Sequence, residues 1–547
     1  MRLATWICAV AGGLVLAACG RSEPPAQPSA GEIRQSALQA HLNFLADDLL
    51  KGRMTGTPEY DISARYVAAQ FQQIGLEPAG DEGYLQSVPY ASALLAEDGI
   101  RLSVIGPQGE RELAWKEEFV SGADPVRRQV GVRAPAVFVG YGVHAPELGH
   151  DDFADVDVLG KLVVAFSGAP PSFGANERAY YSTGTVKAKA AVAHGAVGWV
   201  GLRAAHQIER YPWEDWARNA GLRPTMAWLG ADGDAASYHP ELKASVSLSE
   251  SAAPLLFEGA KHSYEALAAL QKQGEPLPRF ALPVQISSAK TSRIDRTLSP
   301  NVVARLPGSD PALADEVVVY TAHLDHVGIG AEVDGDAIYN GAYDNAMGIS
   351  LLIESARALA QAKPKRSVLF VAVGGEERGL LGSDYFAHYP PVPIDQIVAN
   401  VNLDMPLFLY PLADVIAFGS EHSDLAQTVA KAAEVEGLAL AEDPLPEEVL
   451  FIRSDQYSLV KQGVPAVFLV PGFSSSDPEI DGGAYFSDFL NTHYHKPSDD
   501  LSRPVEWDSA LRFARVNVQI GLQIANAPQR PQWNPGNFFG ERFAQGR

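Results

Sequence analysis

Three short apolar runs, 317–320, 368–373 and 398–403, each read as a buried strand, and each ends in polar residues capable of chemistry. Strands this uniformly apolar are shielded on both faces, the pattern of a parallel sheet covered by helices rather than of a half-wet antiparallel one. The first run leads into Thr321-Ala322-His323-Leu324-Asp325, the second into Gly374-Gly375-Glu376-Glu377, and the third delivers Asp404. From residue 302 onward strands and helices alternate, so the expected fold class is α/β, a mixed, mostly parallel sheet flanked by helices. Ligands of such sheets bind beyond the carboxyl ends of the strands, where these clusters fall. Asp344 opens the helix after the first loop and is a fourth candidate for the same edge.

Carboxylates and a histidine converging at one edge repel or titrate badly unless a cation compensates them. A metal site is therefore expected. His and carboxylate donors without thiolate suit zinc in a hydrolytic site, with manganese or cobalt as substitutes. Taken singly, each residue has a plainer reading. His-x-Asp at a strand end is commonly a hydrogen-bonded pair, Glu376-Glu377 fits an acidic helix start, and Asp344 fits an N-cap. His326 and His493 are assigned to loop hydrogen bonding.

Together, His323-x-Asp325, Asn340-Gly341-Ala342-Tyr343-Asp344-Asn345-Ala346-Met347-Gly348, Glu376-Glu377-Arg378-Gly379, Asp404 and Tyr494-His495-Lys496-Pro497-Ser498-Asp499 resemble the M28 family of di-zinc metallopeptidases. The resemblance covers 32–120 and 286–526, and it implies the zinc-dependent exopeptidase fold with two zinc ions per chain. His323 and Asp404 would hold one ion, Glu377 and His495 the other, and Asp344 would bridge them. It also implies Glu376 as general base and the Asp325 carboxylate as the group that orients the His323 imidazole. Arg453-Ser454-Asp455-Gln456-Tyr457 resembles the family's serine-aspartate loop, with Gln456 where many members have His.

Such chemistry is physically consistent: two cations roughly 3.5–4 Å apart can share a hydroxide at neutral pH and polarise a carbonyl. Glu376 would move the proton, and Tyr494 is a candidate donor to the developing oxyanion, with packing against His495 as its other reading. The expected activity is that of an exported exopeptidase acting on peptides, an aminopeptidase first and a carboxypeptidase second. The alternative from another class is a receptor-like binding protein on the same fold, although the complete ligand set speaks for catalysis. A serine hydrolase would need Gly-x-Ser-x-Gly, which the chain lacks. Side-chain preference is expected to depend on loops such as 473–491.

Residues 1–18 read as a signal peptide of lipoprotein type, ending at Leu16-Ala17-Ala18-Cys19-Gly20, and 19–31 as a flexible tether. The chain is thus expected on the periplasmic side of a bacterial membrane, held by lipid at Cys19, or secreted after cleavage near Ala18. Its only two cysteines are Cys8 and Cys19, so the mature chain can form no internal disulfide. Within the peptidase region, 32–120 plus 286–526, amphipathic helices are expected over 32–50 and 61–74. The span 121–285 changes to short β-rich runs between Gly/Pro turns and reads as a smaller inserted domain. Gly160-Lys161-Leu162-Val163-Val164-Ala165-Phe166 and Lys187-Ala188-Lys189-Ala190-Ala191-Val192-Ala193-His194-Gly195-Ala196-Val197-Gly198 give it a resemblance to a protease-associated domain. Such a unit would shape substrate access or be a passive insertion. Residues 527–547 read as a poorly packed C-terminal tail. The formal net charge of -23 repels phosphate backbones and excludes nucleic acid as a natural partner.

Overall fold

The computed structural model describes residues 31–545; the expected signal segment and Cys19 lie outside the described residues. At its centre the strands Ala466–Pro471, Ile397–Leu403, Val317–His323 and Ser367–Val373 stand side by side and parallel. Asp414–Phe418 and the long strand Arg279–Leu306 flank them antiparallel, giving the mixed sheet expected from the sequence. Every residue of Val317–His323, Ser367–Val373 and Ile397–Leu403 is buried, because helices cover both faces. Val318, Tyr320 and Ala322 pack into the main core with Met347–Ala362 and Trp507–Asn526. Val317 and Val319 face the other way, toward Phe386 and Leu459.

The chain leaves Val317–His323 for its neighbour Ser367–Val373 on one side and then crosses to Ile397–Leu403 on the other. That reversal opens a crevice at the carboxyl end of Val317–His323, where the polar clusters emerge. The helices expected over 32–50 and 61–74 appear as Gln35–Leu45, followed by a single turn at Asp48–Leu50, and as Pro58–Ile74. Thr57 caps the latter through its side chain and Gly75 ends it in a left-handed conformation.

The region 121–285 is joined to this sheet by main-chain pairing. Leu85–Gly106 and Arg279–Leu306 form a long antiparallel ribbon, from Val302↔Leu85 at one end to Gln285↔Ile105 at the other. One end of Arg279–Leu306 pairs with Ser367–Val373 and the other with Gln129–Val139. The parallel strands Leu162–Phe166, Gly198–Leu202 and Ala244–Leu248 continue outward from there, with helix Gly184–Ala193 between the first two. The core of this region draws in Leu102, Val104, Leu113 and Phe119, which precede it in sequence.

Residues 527–545 correct the expectation of a poorly packed tail. Helix Phe538–Phe543 buries Phe539 completely against Phe451, Tyr457 and His422. Arg542 lies over Tyr180, 4.1 Å from its ring centre, and pairs with Glu147 at 3.1 Å. A six-residue helix has no stable periodicity of its own, so its order comes from these distant contacts. Among the described residues, no helix is long and apolar enough to cross a membrane.

Lys187 is buried in the inserted region with its ammonium 3.2 Å from the Phe166 carbonyl. Burial pushes its pKa down to about 7, against the attraction of Asp152. Between pH 7 and 10.5 the unfolded chain therefore holds a proton that the folded chain releases, so this residue destabilises most below pH 7, and the penalty fades as pH rises. Lys187→Met should accordingly raise the melting temperature more at pH 6.5 than at pH 9.5, by thermal unfolding. An equal gain at both pH values would contradict the burial argument.

Candidate active site

The three strand ends and two later loops bring all five expected ligands together. One group consists of His323, Asp344 and Asp404, and a second of His326, Asp344, Glu377 and His495; within each, one donor atom per residue lies within 4.8 Å of the others. Asp344 belongs to both. Its Oδ1 lies 3.2 Å from His323 Nε2, and its Oδ2 lies 3.2 Å from His495 Nε2. The two oxygens of one carboxylate thus face opposite groups, the arrangement that a bridging ligand requires. His323 Nε2 is also 3.0 Å from Asp404 Oδ1, and His495 Nε2 is 3.0 Å from Glu377 Oε2.

Backbone support for Asp344 comes from two remote segments. Asp499 accepts hydrogen bonds from the amides of Tyr343 (2.9 Å) and Asp344 (3.1 Å). Buried Arg53, from the loop between the first two helices, donates to the carbonyls of Leu324 (2.9 Å), Asn340 (2.6 Å) and Gly341 (3.1 Å). Gly341 has φ +61, and a Cβ there would lie 2.1 Å from the Asp344 carbonyl oxygen and 2.4 Å from the His326 ring, so only glycine fits. On the other side, Ser454 donates to Asp404 Oδ2 at 2.6 Å and accepts from Asn402. Gln456 accepts a second hydrogen bond from Asn402 (2.8 Å) and donates to the Phe451 carbonyl, which gives it a scaffolding place beneath Asp404.

Two expectations are corrected. The His323 ring is oriented by the main-chain carbonyl of Asp325, 3.0 Å from Nδ1, and not by its carboxylate. That carboxylate accepts from the Glu376 amide at 3.2 Å instead, so Asp325 positions the Glu376 turn. His326, assigned to loop hydrogen bonding, instead joins the ligand cluster: it is fully buried, with Nδ1 2.7 Å from Glu377 Oε1. It immediately follows the His323-x-Asp325 motif, and that adjacency was its only signal. His493 does stay in loop hydrogen bonding, with Ser498 and Arg503. Tyr494 stacks on His495, ring centres 3.8 Å apart, and lines the cavity beside Glu376.

Charge is poorly balanced here. Burial opposes ionisation of His323, but Asp404, Glu376 and Asp344 outweigh it and hold the ring protonated far above its usual range. Glu377 and Asp344 likewise overcome burial at His495 and raise it to about 9. Burial would raise Glu377 and Asp344 too, yet the histidines pull both carboxyls below their usual values. Glu376 differs: burial, reinforced by Glu377 and Asp404 against the pull of His323, pushes its carboxyl well above normal. Glu377 Oε1 and both nitrogens of His326 are buried without an aligned hydrogen bond. Buried carboxylates and imidazoles left with unused lone pairs fit a pair of divalent cations, and the His/carboxylate donor set fits zinc.

The cavity above the ligands has an apolar wall that includes Met405, Leu450, Phe468, Val470, Phe486 and Leu490. The last two come from helix Gly482–Thr492, within the 473–491 span expected to influence preference. The inserted region reaches this cavity as well, through Arg210 and Tyr211. Arg210 forms an ion pair with Glu448, which also binds Arg453 at 3.0 Å.

Because His326 Nδ1 lies 2.7 Å from one Glu377 oxygen while the other faces His495, His326→Ala should weaken zinc retention by roughly 10–100-fold. Competition against a chromogenic chelator measures this; unchanged retention would mean that the contact does not matter to the ion.

Residues 301–520 match the family model described as Peptidase family M28. The chain is 28% identical over 282 residues to a probable zinc metalloprotease of Pyricularia oryzae, an alignment covering 46% of this chain and 52% of that protein. It is 43% identical over 266 residues to a probable zinc metalloprotease of Pyrenophora tritici-repentis, covering 42% of this chain and 53% of the relative. The chain spans about half the length of these curated relatives. In fold it is similar to the solved aminopeptidase from Aneurinibacillus sp. strain AM-1, with TM-score 0.52 and 18% identity over 92% of this chain and 97% of that one. The matched span contains the converging side chains His323, Asp344, Glu376, Glu377, Asp404 and His495, and residues 301–520 are therefore a peptidase family M28 domain.

Proposed function

We propose that this protein is an exported zinc exopeptidase, an aminopeptidase that removes N-terminal residues from peptides using two zinc ions per chain. The observation that carries the reading is Asp344, whose two carboxylate oxygens each face a separate ligand group, with Glu376 lining the same cavity. When bound, zinc supplies Lewis acidity toward the scissile carbonyl and lowers the pKa of a water. The chain supplies the rest. Glu376 accepts the proton of the attacking water and returns it to the leaving amine. Tyr494, whose buried hydroxyl keeps its proton far above pH 10, donates to the oxygen that becomes negative as the carbonyl turns tetrahedral. The apolar wall formed by residues such as Met405, Phe468 and Phe486 receives an uncharged side chain, and burial there excludes water from the reacting atoms.

The name of the Aneurinibacillus structure supports trimming from the amino terminus. Export and lipid attachment rest on the 1–18 pattern and Cys19. The protease-associated reading of 121–285 gains support from Arg210 and Tyr211, which place that region at the cavity wall.

Exhaustive chelation should abolish hydrolysis of aminoacyl anilides and of free peptides, and zinc should restore it. Peptides with blocked amino termini should stay intact by mass spectrometry; trimming from the carboxyl end would overturn the aminopeptidase assignment. Glu376→Gln should keep its zinc and lose roughly 10²–10⁴-fold in kcat. A binding protein would show no turnover in either form.

A further inference from the structure

We propose that the inserted region carries a separate divalent-cation site, suited to zinc and formed by His144, Asp151 and His194. Strands His144–Ala145 and His150–Asp151 pair antiparallel with His144 opposite Asp151, which sets the two side chains side by side. His144 Nδ1 lies 3.1 Å from Asp151 Oδ1. Nδ1 is buried, with the Asp151 carboxyl as its near neighbour and no other hydrogen-bond partner. Asp151 is itself held in place, since its Oδ1 accepts the Phe153 amide at 2.9 Å.

The third donor arrives from another element. His194 follows helix Gly184–Ala193 and stacks on Phe153, ring centres 4.5 Å apart and 9° from parallel. Its Nδ1 is 2.8 Å from the Ala190 carbonyl oxygen. A carbonyl can only accept, so Nδ1 carries a proton and Nε2 is the ring nitrogen left to face a cation, the second-sphere arrangement typical of a metal-bound histidine. The His144 ring stands 5.0 Å away at 68°. One donor atom from each of the three residues lies within 4.8 Å of the others.

Two imidazoles and one carboxylate are a zinc-type donor set, and a fourth position is open to water because His144 and Asp151 are about one-third exposed. An ion there would tie the hairpin at 144–151 to the end of helix Gly184–Ala193. In the neighbouring pair Asp152 accepts the amides of Tyr141 and Val143, and His150 Nε2, 3.0 Å from Asp152 Oδ1, likewise lacks an aligned hydrogen bond but, among the described residues, has no second histidine grouped with it. The site shares no residue with the His323–His495 centre.

Zinc content of the full chain, measured by plasma mass spectrometry at fixed free zinc, tests this. His194→Ala and Asp151→Asn should each hold one zinc fewer per chain than wild type while hydrolysing peptides at the wild-type rate. Asp151→Asn keeps the oxygen that accepts the Phe153 amide, so it decides the matter should loss of the stacked His194 ring disturb folding. Combining Asp151→Asn with Asp344→Asn should remove a further equivalent beyond that lost with Asp344→Asn alone, which separates this site from the proposed catalytic pair. Wild-type zinc content in Asp151→Asn would overturn the proposal and leave an ordinary His–Asp contact.

Discussion

The site depends on the enforced proximity of like charges. Asp344, Glu377 and Asp404 meet His323 and His495, and half-buried Glu376 lines the same cavity. Gathering carboxylates in a low-dielectric setting costs free energy unless positive charge joins them. In the protein alone, imidazolium groups provide part of that charge, which is why His323 and His495 are held protonated. Divalent cations would compensate more fully, and their binding would release those protons.

The scaffold that enforces this proximity works largely through main-chain atoms. Arg53 collects three carbonyls from the loops around the site, Asp499 holds two amides leading into Asp344, and the carbonyl of Asp325 sets the His323 ring. Arg53 itself is fully buried; burial lowers its pKa to about 10, with Asp325, Asp499, Asp344 and Glu377 acting to raise it. It therefore remains charged at neutral pH and serves both as cross-brace and as counter-charge. Backbone anchoring limits drift of the ligand-bearing segments, which matters because misplacement by about 1 Å can cost on the order of 100-fold in rate.

The inserted region is mechanically continuous with this centre. The ribbon of Leu85–Gly106 and Arg279–Leu306 pairs with the catalytic sheet at one end and with Gln129–Val139 at the other. Arg210 and Tyr211 return from that region to the cavity wall, where Arg210 meets Glu448.

Local sequence determined the buried strands 317–320, 368–373 and 398–403 and the polar residues at their ends, because double-sided burial leaves an unbroken apolar run. The five ligand candidates and Glu376 were legible because their motifs are short and keep their order along the chain. Tertiary structure decided what no local pattern encodes: which Asp344 oxygen faces which histidine, that His326 turns inward to Glu377, and that the Asp325 carbonyl rather than its carboxylate orients His323. It also decided that Phe539 is buried and that His194 meets the hairpin at 144–151. The physical reason is common to all of these. They are contacts between segments far apart in the chain, set by sheet register and loop path, whereas periodicity and motif spacing report only on neighbours along the backbone.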